Sequence, residues 1–349
     1  MDARLTAPRA RRAVASLAFA VLLGACSATP AATPLPSATP LPSVLPTAAP
    51  SLAPTEAPSA TAQAATFPVT VTDDEGTKVQ IAAQPTRIVS LMPAVTETLF
   101  ALGVGSDVVG KAQDIYLYPP QASAVPDFEK FDNGAVSVDV EKIVAAKADL
   151  VIAGGNFGTP ADTIKQLRDL GIPVIVVYAP TVAGVLADNT LIGTAVGEPA
   201  QAAAINAGMQ AAFNAVEAAV ASAPKPKVYY EIGDGYAPAD QSFTAEMITD
   251  AGGTPVTSGS TTDWSLSAEK LIAANPDIIL LADGTPVAQA TKRPAWSTMS
   301  AVKNGKVATI DDTTISRPGP RLFLGLQLLA AAIHPELTIP QASPIPAVP

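Results

Sequence analysis

The sequence has little of what most catalytic and metal sites require, since it contains one cysteine and one histidine in 349 residues. One thiol excludes a disulfide framework, and one cysteine with one histidine cannot assemble a Cys/His zinc site. A Ser–His or Cys–His catalytic pair would have to use the single histidine, His334. Charged residues make up only 15% of the chain, and 31 acidic against 21 basic side chains give a formal net charge of -10. This balance disfavours a nucleic-acid partner, because phosphate binding needs a basic face.

The amino terminus lacks an apolar run long enough to span a bilayer. The run 13–25 is shorter than the about 20 apolar residues that a spanning helix needs, and it follows four arginines. This order is typical of a secretory signal peptide, which we predict over residues 1–25. The run ends Leu-Leu-Gly-Ala before Cys26, which resembles a bacterial lipoprotein box, where the cysteine becomes the lipidated amino terminus. We predict lipidation of Cys26 and an extracytoplasmic, lipid-anchored protein; an ordinary signal peptide with a chance cysteine is the alternative.

The next segment lacks aromatic residues and almost all charge. Residues 27–65 contain nine prolines, one glutamate and otherwise only Ala, Ser, Thr, Leu, Val and Gln. Such a segment buries too little apolar surface to offset the entropy lost on ordering. We predict a disordered tether over residues 26–66, with a reach of roughly 120 Å at about 3.1 Å per residue.

Strand and helix patterns alternate through the rest of the chain. Alternating residues around Asp73-Asp74-Glu75-Gly76 predict a β-hairpin with a solvated turn. The pattern then predicts strands over 87–91, 149–153 and 173–178, and helices over 95–102, 140–147 and 161–170. This alternation indicates an α/β fold with mostly parallel sheets.

One helix–strand unit occurs twice. Residues 141–153 read EKIVAAKADLVIA and residues 269–281 read EKLIAANPDIILL, with five of thirteen positions identical. Chance similarity between α/β units is the alternative, but the order and spacing of the flanking patterns also agree. We therefore predict two similar lobes, over 67–197 and 224–338, followed by a flexible proline-rich tail over 339–349.

A long helix is predicted between the two lobes, over residues 198–223. Pro199 suits a helix start, Pro224 stops the helix, and apolar residues fall at helical spacing between them. The 24 residues from Pro199 to Ser222 give a helix of about 36 Å, long enough to cross from one lobe to the other. Because a helix resists bending, we expect small rocking of the lobes around a cleft between them.

Together, these features and five stretches of sequence resemble a class III substrate-binding protein of an ABC importer, from the group that binds cobalamin, ferric siderophores or haem. The resemblance runs from about Phe67 to Leu337. The stretches are RIVSLMPAVTETLFALGVG (87–105), YPPQA (118–122), VEKIVAAKADLVIAGG (140–155), DWSLSAEKLIAANPDIILLAD (263–283) and SRPGPR (316–321). The resemblance implies a monomeric binding protein without a cofactor, and with an ABC permease dimer and its ATPases as partner.

The resemblance also gives the repeated glutamates a role. In this family a glutamate at the start of such a helix on each lobe docks onto arginines of the permease. Glu141 and Glu269 occupy those positions. Their alternative role is to complement the positive end of a helix, worth under about 1 kcal/mol.

Ligand residues are expected on loops at the strand ends that face the cleft, where open α/β sheets bind their ligands. Flat aromatic side chains suit a large planar macrocycle, and arginines suit carboxylate, amide or phosphate groups. The resemblance implies pocket positions for Trp264 and Arg317. The full set of candidates is Met92, Tyr116, Tyr118, Phe131, Asn156, Phe157, Tyr236, Trp264, Arg317 and Arg321.

We predict a binding protein that captures a metal-chelate micronutrient and delivers it to an ABC permease. Cobalamin is favoured from the YPPQ and SRPGPR stretches, and a ferric siderophore or haem is the alternative. An alternative of another class is a surface-anchored hydrolase that uses cleft acids such as Asp114, Asp234 or Asp311. A third is a structural or adhesive surface protein with no saturable small ligand.

Overall fold

The computed structural model describes residues 66–132, 134–155, 158–233, 235–259 and 265–341. The predicted signal peptide, Cys26, nearly all of the predicted tether and the last eight residues lie outside the described residues. Within the described part, no helix has the length and apolarity that a membrane crossing requires.

The first lobe is built on a six-stranded sheet next to a short hairpin. The hairpin pairs β1 (Val69–Thr72) with β2 (Lys78–Ile81), as the sequence predicted. The sheet has the order β6-β5-β4-β3-β7-β8, and only the pairing of β5 with β6 is antiparallel. Its strands are β3 (Ile88–Leu91), β4 (Val108–Ala112), β5 (Asp127–Asp132), β6 (Ala135–Val138), β7 (Leu150–Gly154) and β8 (Val174–Val177).

Four helices accompany this sheet: α1 (Pro93–Ala101), α2 (Val140–Ala145), α3 (Ala161–Asp169) and α4 (Val182–Val196). Strands β3, β7 and β8 are buried along their whole length. Buried strands of this kind read as continuous aliphatic runs, which is why the sequence predicted them.

The hairpin turn corrects one prediction. Asp73 was expected in a solvated turn, but it is only 4% exposed and ties the hairpin to edge strand β8. Its carboxylate accepts hydrogen bonds from the backbone N–H groups of Thr77 and Val176, and pairs with Arg168 at 2.9 Å. The turn acids therefore cover a sheet edge that would otherwise be open.

Helix α5 (Pro199–Val220) follows the first lobe. Ile205, Met209, Phe213, Val216 and Val220 are all buried, as their spacing predicted. The helix is 22 residues long, or about 33 Å, and it packs against α4 and α10 (Leu322–Ile333). One hydrophobic cluster includes residues of the first lobe, α5 and the second lobe.

The second lobe has a four-stranded, wholly parallel sheet with the order β10-β9-β11-β12. Its strands are β9 (Lys227–Glu231), β10 (Thr254–Pro255), β11 (Ile278–Leu281) and β12 (Val307–Thr309). Its helices are α6 (Phe243–Asp250), α7 (Ala268–Ala274), α8 (Val287–Ala290), α9 (Ser300–Lys303) and α10. The fold is thus α/β, with two similar lobes joined by a long helix.

The repeated sequence unit has the same structure in both lobes. Helix α2 leads to buried strand β7 in the first lobe, and α7 leads to buried strand β11 in the second.

At the carboxyl terminus, the predicted flexible tail starts too early. Ile339 is 7% exposed and packs in the main hydrophobic cluster, so the packed body extends at least to that residue.

Candidate functional site

Two neighbouring cavities lie where the two lobes face each other. One of about 230 Å³ is lined by Met92, Pro93, Ala94 and Tyr116 from the first lobe and by Asp312, Thr313, Ser316, Arg317 and Pro318 from the second. The other, of about 300 Å³, is lined by Met92, Gly154, Gly155, Gly158, Tyr178, Ala179, Pro180, Ser242, Phe243, Ser316 and Pro318. Met92, Ser316 and Pro318 belong to both walls, so the two cavities form one inter-lobe cleft. A cavity of about 340 Å³ elsewhere is lined only by residues of the 224–336 stretch and is not part of it.

The first-lobe wall is formed at the carboxyl ends of parallel strands. Met92 follows β3 and caps α1, whose first residue is Pro93. The Met92 carbonyl accepts hydrogen bonds from the Thr96 N–H and the Ser90 hydroxyl, which fixes the turn from strand to helix. Tyr116 follows β4 and Gly155 follows β7. The cleft thus lies where an open α/β sheet ordinarily binds its ligand.

Asp114 and Arg317 form an ion pair across the two lobes. Arg317 Nη1 and Nη2 donate to Asp114 Oδ2 and Oδ1, each at 2.8 Å, and both side chains are at most 10% exposed. Burial by itself raises the pKa of Asp114, but the Arg317 guanidinium and the Tyr116 N–H outweigh it and the pKa is lowered. Burial works against the charge of Arg317, and Asp114 outweighs it, so the pKa of Arg317 is raised. Both groups are therefore charged at neutral pH.

A second ion pair joins the lobes nearby. Arg321 Nη2 donates to Glu97 Oε2 at 2.9 Å, and the Arg321 backbone N–H donates to Glu97 Oε1 at 3.0 Å. Glu97 lies on α1 and is 3% exposed. Arg321 is the residue before α10, so this pair connects the first helix of one lobe to the last helix of the other.

Two tyrosines stack on the two arginines. The guanidinium carbon of Arg317 is 5.4 Å from the centre of the Tyr116 ring, and that of Arg321 is 3.4 Å from the Tyr118 ring. Both rings lie on the loop 114–118, which the Asp114 carboxylate closes by accepting from the Tyr116 and Tyr118 N–H groups at 3.0 and 3.3 Å. A positive φ of 46° at Leu117 completes the turn. Each cation–π contact adds about 1 kcal/mol or more where it is shielded from water.

Asp312 gives the second-lobe wall an acidic group. Its Oδ1 atom accepts hydrogen bonds from the hydroxyls of Tyr230 and Ser316. Burial raises the pKa of this carboxyl, and the two hydroxyls only partly offset that effect. Arg317 is the one basic side chain among the described residues that line the cleft, and Asp114 already neutralises it.

A buried carboxyl lies beneath the first-lobe wall. Glu129 on β5 is 8% exposed, and Thr159, next to cavity residue Gly158, donates a hydrogen bond to its Oε2 atom at 3.0 Å. Burial raises the pKa of Glu129 to about 7, and the Thr159 hydroxyl lowers it only in part. Near neutral pH this site therefore holds a mixture of carboxylic acid and carboxylate.

The structure brings some of the predicted ligand residues to the cleft and not others. Met92, Tyr116 and Arg317 line it, while Tyr118 and Arg321 stack next to it without lining either cavity. Tyr236 is 56% exposed in a short antiparallel bridge to Gly233 and Ser265, outside both cavities. Three further candidates, Asn156, Phe157 and Trp264, lie outside the described residues.

Phe131 is a correction, because it was expected on a strand-end loop. It lies within β5, pairs with Val136 of β6 and is 67% exposed. The aromatic lining residues Tyr178 and Phe243 and the lining serines Ser242 and Ser316 were not among the ligand residues predicted from the sequence. Tyr178 directly follows β8, so the strand-end criterion would have found it.

The two repeated glutamates have matching surroundings. Glu141 lies in the first turn of α2, and Glu269 lies in the first turn of α7. Each helix has its own N-cap residue, two positions before the glutamate. The Asp139 side chain accepts a hydrogen bond from the Lys142 N–H in α2, and the Ser267 side chain accepts one from the Lys270 N–H in α7. Both glutamates are exposed, and no hydrogen bond or ion pair holds either carboxylate within the described residues. The helix ends therefore have their caps without them.

The described residues show no metal centre. No group of three or more His, Cys, Asp or Glu side chains within the described ranges is arranged to hold a metal ion. His334 caps α10 instead, with Nε2 at 3.3 Å from the Gly252 carbonyl and Nδ1 at 3.3 Å from Glu336. Asp234, one of the acids considered for hydrolysis, lies outside the described residues, and Asp311 hydrogen-bonds to the Thr313 N–H.

Comparison with known proteins agrees with this architecture. The sequence profile of the family described as "Periplasmic binding protein" matches residues 88–314. The uncharacterized ABC transporter substrate-binding lipoprotein YvrC of Bacillus subtilis is 33% identical over 278 residues, covering 77% of this chain and 87% of that protein. A cobalamin-binding protein of Halobacterium salinarum is 31% identical over 285 residues, covering 78% of this chain and 76% of that one. The structure of the periplasmic heme-binding protein RhuT from Roseiflexus sp. RS-1 matches with a TM-score of 0.63 and 26% identity, over 71% of this chain and 98% of that one.

Proposed function

The chain belongs to the periplasmic binding protein family, and from this premise we propose that it captures a metal-chelate micronutrient, cobalamin first among the candidates, and delivers it to an ABC permease. Family membership makes it the substrate-binding component of an ABC importer and not an enzyme. The hydrolase that was considered from its cleft acids is thereby set aside.

The proposed class of ligand rests on the chemistry of the inter-lobe cleft. Its described walls are mostly apolar or aromatic, and their single basic side chain is already paired with Asp114. Such a site suits a large ligand whose periphery is neutral and whose faces are apolar. Cobalamin, with peripheral amides, fits this chemistry, and the relative from Halobacterium salinarum is named for binding it.

Haem is the second candidate, because the cleft offers side chains that can bind an iron atom. Met92, Tyr116 and Tyr178 line the cavities, and thioether and phenol groups both serve as axial haem ligands. The neighbouring structure RhuT is named for binding heme. A ferric siderophore is the further alternative, since it is also a bulky chelate that a cleft between lobes can hold.

One titration separates these ligands. The purified protein is titrated with cyanocobalamin, haemin and ferrioxamine B, and tryptophan fluorescence and visible absorbance are followed. We expect saturable one-to-one binding of cyanocobalamin that is weakened by Tyr116→Ala. Binding of haemin alone, with a Soret shift lost in Met92→Ala or Tyr116→Phe, would instead select haem.

Delivery to the permease is proposed to use the matched glutamates. Glu141 and Glu269 are exposed, begin equivalent helices of the two lobes and are not needed as helix caps. One acidic group per lobe is what a two-fold symmetric permease with basic contact residues would engage, and opposite charge also speeds the encounter. Reversing both charges should abolish uptake and leave ligand affinity unchanged, whereas reversing exposed Glu217 on α5 should change neither. Equal loss of uptake and affinity would contradict the docking role.

Attachment to the membrane is proposed through Cys26. The relative YvrC is named as a lipoprotein, and the only cysteine of this chain follows a sequence that resembles a lipoprotein box. Cells given a labelled fatty acid should incorporate it into the wild-type protein and not into Cys26→Ser. Labelling of both proteins alike would contradict the assignment.

A further inference from the structure

We propose that Asp114 sets the charge selectivity of the cleft: it occupies Arg317 as a built-in carboxylate and so makes the site reject ligands that carry a carboxylate. This inference rests on the proposed function for the identity of the cleft as the ligand site. It identifies a specificity-determining residue and predicts the class of ligand that is excluded.

Arg317 would otherwise be the natural anchor for an anionic ligand. It lines the cleft, and a guanidinium binds a carboxylate through two parallel hydrogen bonds. Both of those bonds are already made to Asp114, at 2.8 Å each. A ligand carboxylate would meet a guanidinium whose charge Asp114 already neutralises, and to use the Nη1 and Nη2 pair it would have to displace an internal group of the same chemistry.

Asp114 is also held in place independently of Arg317. Its two oxygens accept from the Tyr116 and Tyr118 N–H groups, which belong to its own loop. Asp114 is 9% exposed, and these backbone hydrogen bonds fix its carboxylate. Moving the carboxylate away from Arg317 would leave its charge buried without a cationic partner. The internal acid is therefore pre-organised, and an incoming acid is not.

The other charged groups of the cleft lining also disfavour an anionic ligand. Asp312 contributes an acidic group, and the ion pair contributes no net charge, so the described lining has no uncompensated positive charge. A neutral or cationic chelate meets no electrostatic penalty there. An anionic chelate meets both the occupied arginine and Asp312.

The second ion pair supplies a matched control. Glu97 and Arg321 also join the lobes through a buried Arg–carboxylate pair with a stacked tyrosine, but neither residue lines the cavities. Glu97→Gln thus weakens the connection between the lobes without presenting a guanidinium to the ligand. Asp114→Asn weakens it and frees Arg317 in the cleft.

The test uses propionate as a small carboxylate probe and two matched ligand pairs. The pairs are cyanocobalamin with its monocarboxylic acid, and haemin dimethyl ester with haemin. Sodium propionate, compared with sodium chloride at equal ionic strength, should raise the Tm of Asp114→Asn and not that of wild type or Glu97→Gln. In whichever pair the wild type binds, the ligand without the carboxylate should bind about tenfold tighter or more, and Asp114→Asn should remove or reverse that preference. The double variant Asp114→Asn/Arg317→Gln should lose both effects.

The inference is overturned if wild type binds the carboxylate form as tightly as its neutral partner, or if Asp114→Asn gains no response to propionate. The first comparison needs no variant, so it decides the matter even if Asp114→Asn does not fold. Failure of the proposed function has a different signature. If cyanocobalamin does not bind but propionate stabilises only Asp114→Asn, the charge selectivity of the cleft stands and the cobalamin assignment fails.

Discussion

Replacing Glu129 by glutamine should make the protein more stable at pH 8 and leave its stability at pH 4 nearly unchanged. Glu129 is buried on β5, and among the described residues its carboxyl has one hydrogen-bond partner, Thr159, and no basic side chain paired with it. Glutamine has the same shape, and its carbonyl oxygen can accept the Thr159 hydrogen bond. The substitution therefore removes the ionisation and keeps the packing.

The magnitude follows from the pKa of Glu129, which burial raises from 4.5 to about 7. Between these two values the folded protein binds more protons than the unfolded chain, so the free energy of unfolding falls as pH rises. A shift of this size corresponds to about 3 kcal/mol, at about 1.4 kcal/mol per pH unit. The loss should begin above pH 4.5 and be complete above pH 7. Glu129→Gln should lack this loss and exceed wild type by up to about 3 kcal/mol at pH 8.

Urea denaturation at half-unit steps from pH 4 to pH 8, followed by far-UV circular dichroism, measures both curves. Glu141→Gln is the matched control, because Glu141 is exposed and its substitution should leave the curve of wild type unchanged. Burial also raises the pKa values of Asp188 and Asp250, to about 8 and about 6. These two groups should therefore also make the free energy of unfolding of wild type fall as pH rises. Equal stability of wild type and Glu129→Gln at every pH would refute the reasoning.

Three further predictions concern stability at neutral pH. Glu97→Gln should cost about 3 kcal/mol or more in urea unfolding, because it leaves the charge of Arg321 buried without its partner; a cost below about 1 kcal/mol would show that water reaches the pair. Gly110→Ala should cost about 2 kcal/mol, since a Cβ there would lie 2.1 Å from Phe128, whereas Gly319→Ala, with its nearest atoms at 3.5 Å, should cost far less. Asp73→Ala should cost about 2–4 kcal/mol by releasing Arg168 and three backbone N–H groups, and equal loss in Glu75→Ala would contradict that role.

Aliphatic runs and the internal repeat were readable from the sequence because they are local patterns. Strands β7 and β11 are buried on both faces and follow short capped helices, so their composition alone identifies them. Strand β5 was missed, since it reads DFEKFD and alternates charge with aromatic residues. Two of its acids have partners that the sequence does not reveal: Asp127 pairs with buried Lys111 of β4, and Glu129 accepts a hydrogen bond from Thr159.

The position of the site was predictable, but its electrostatics were not. Strand ends on parallel sheets meet at one edge, which led to Met92 and Tyr116 from the sequence. The partners of the two arginines are 203 and 224 residues away along the chain. No local pattern relates Asp114 to Arg317 or Glu97 to Arg321, so only the folded structure reveals that both cations are already neutralised.

The same two ion pairs bear on how far the lobes can move. Arg317 and Arg321 both lie on the short segment that leads into α10, and α10 packs against α5. The first lobe is therefore connected to the second by α5 and by two buried arginines at the base of the neighbouring helix. Opening the cleft widely would require both guanidiniums to leave their carboxylates and the tyrosine rings stacked on them. Because small rocking about α5 can leave both pairs intact, we expect the cleft to admit its ligand by that motion.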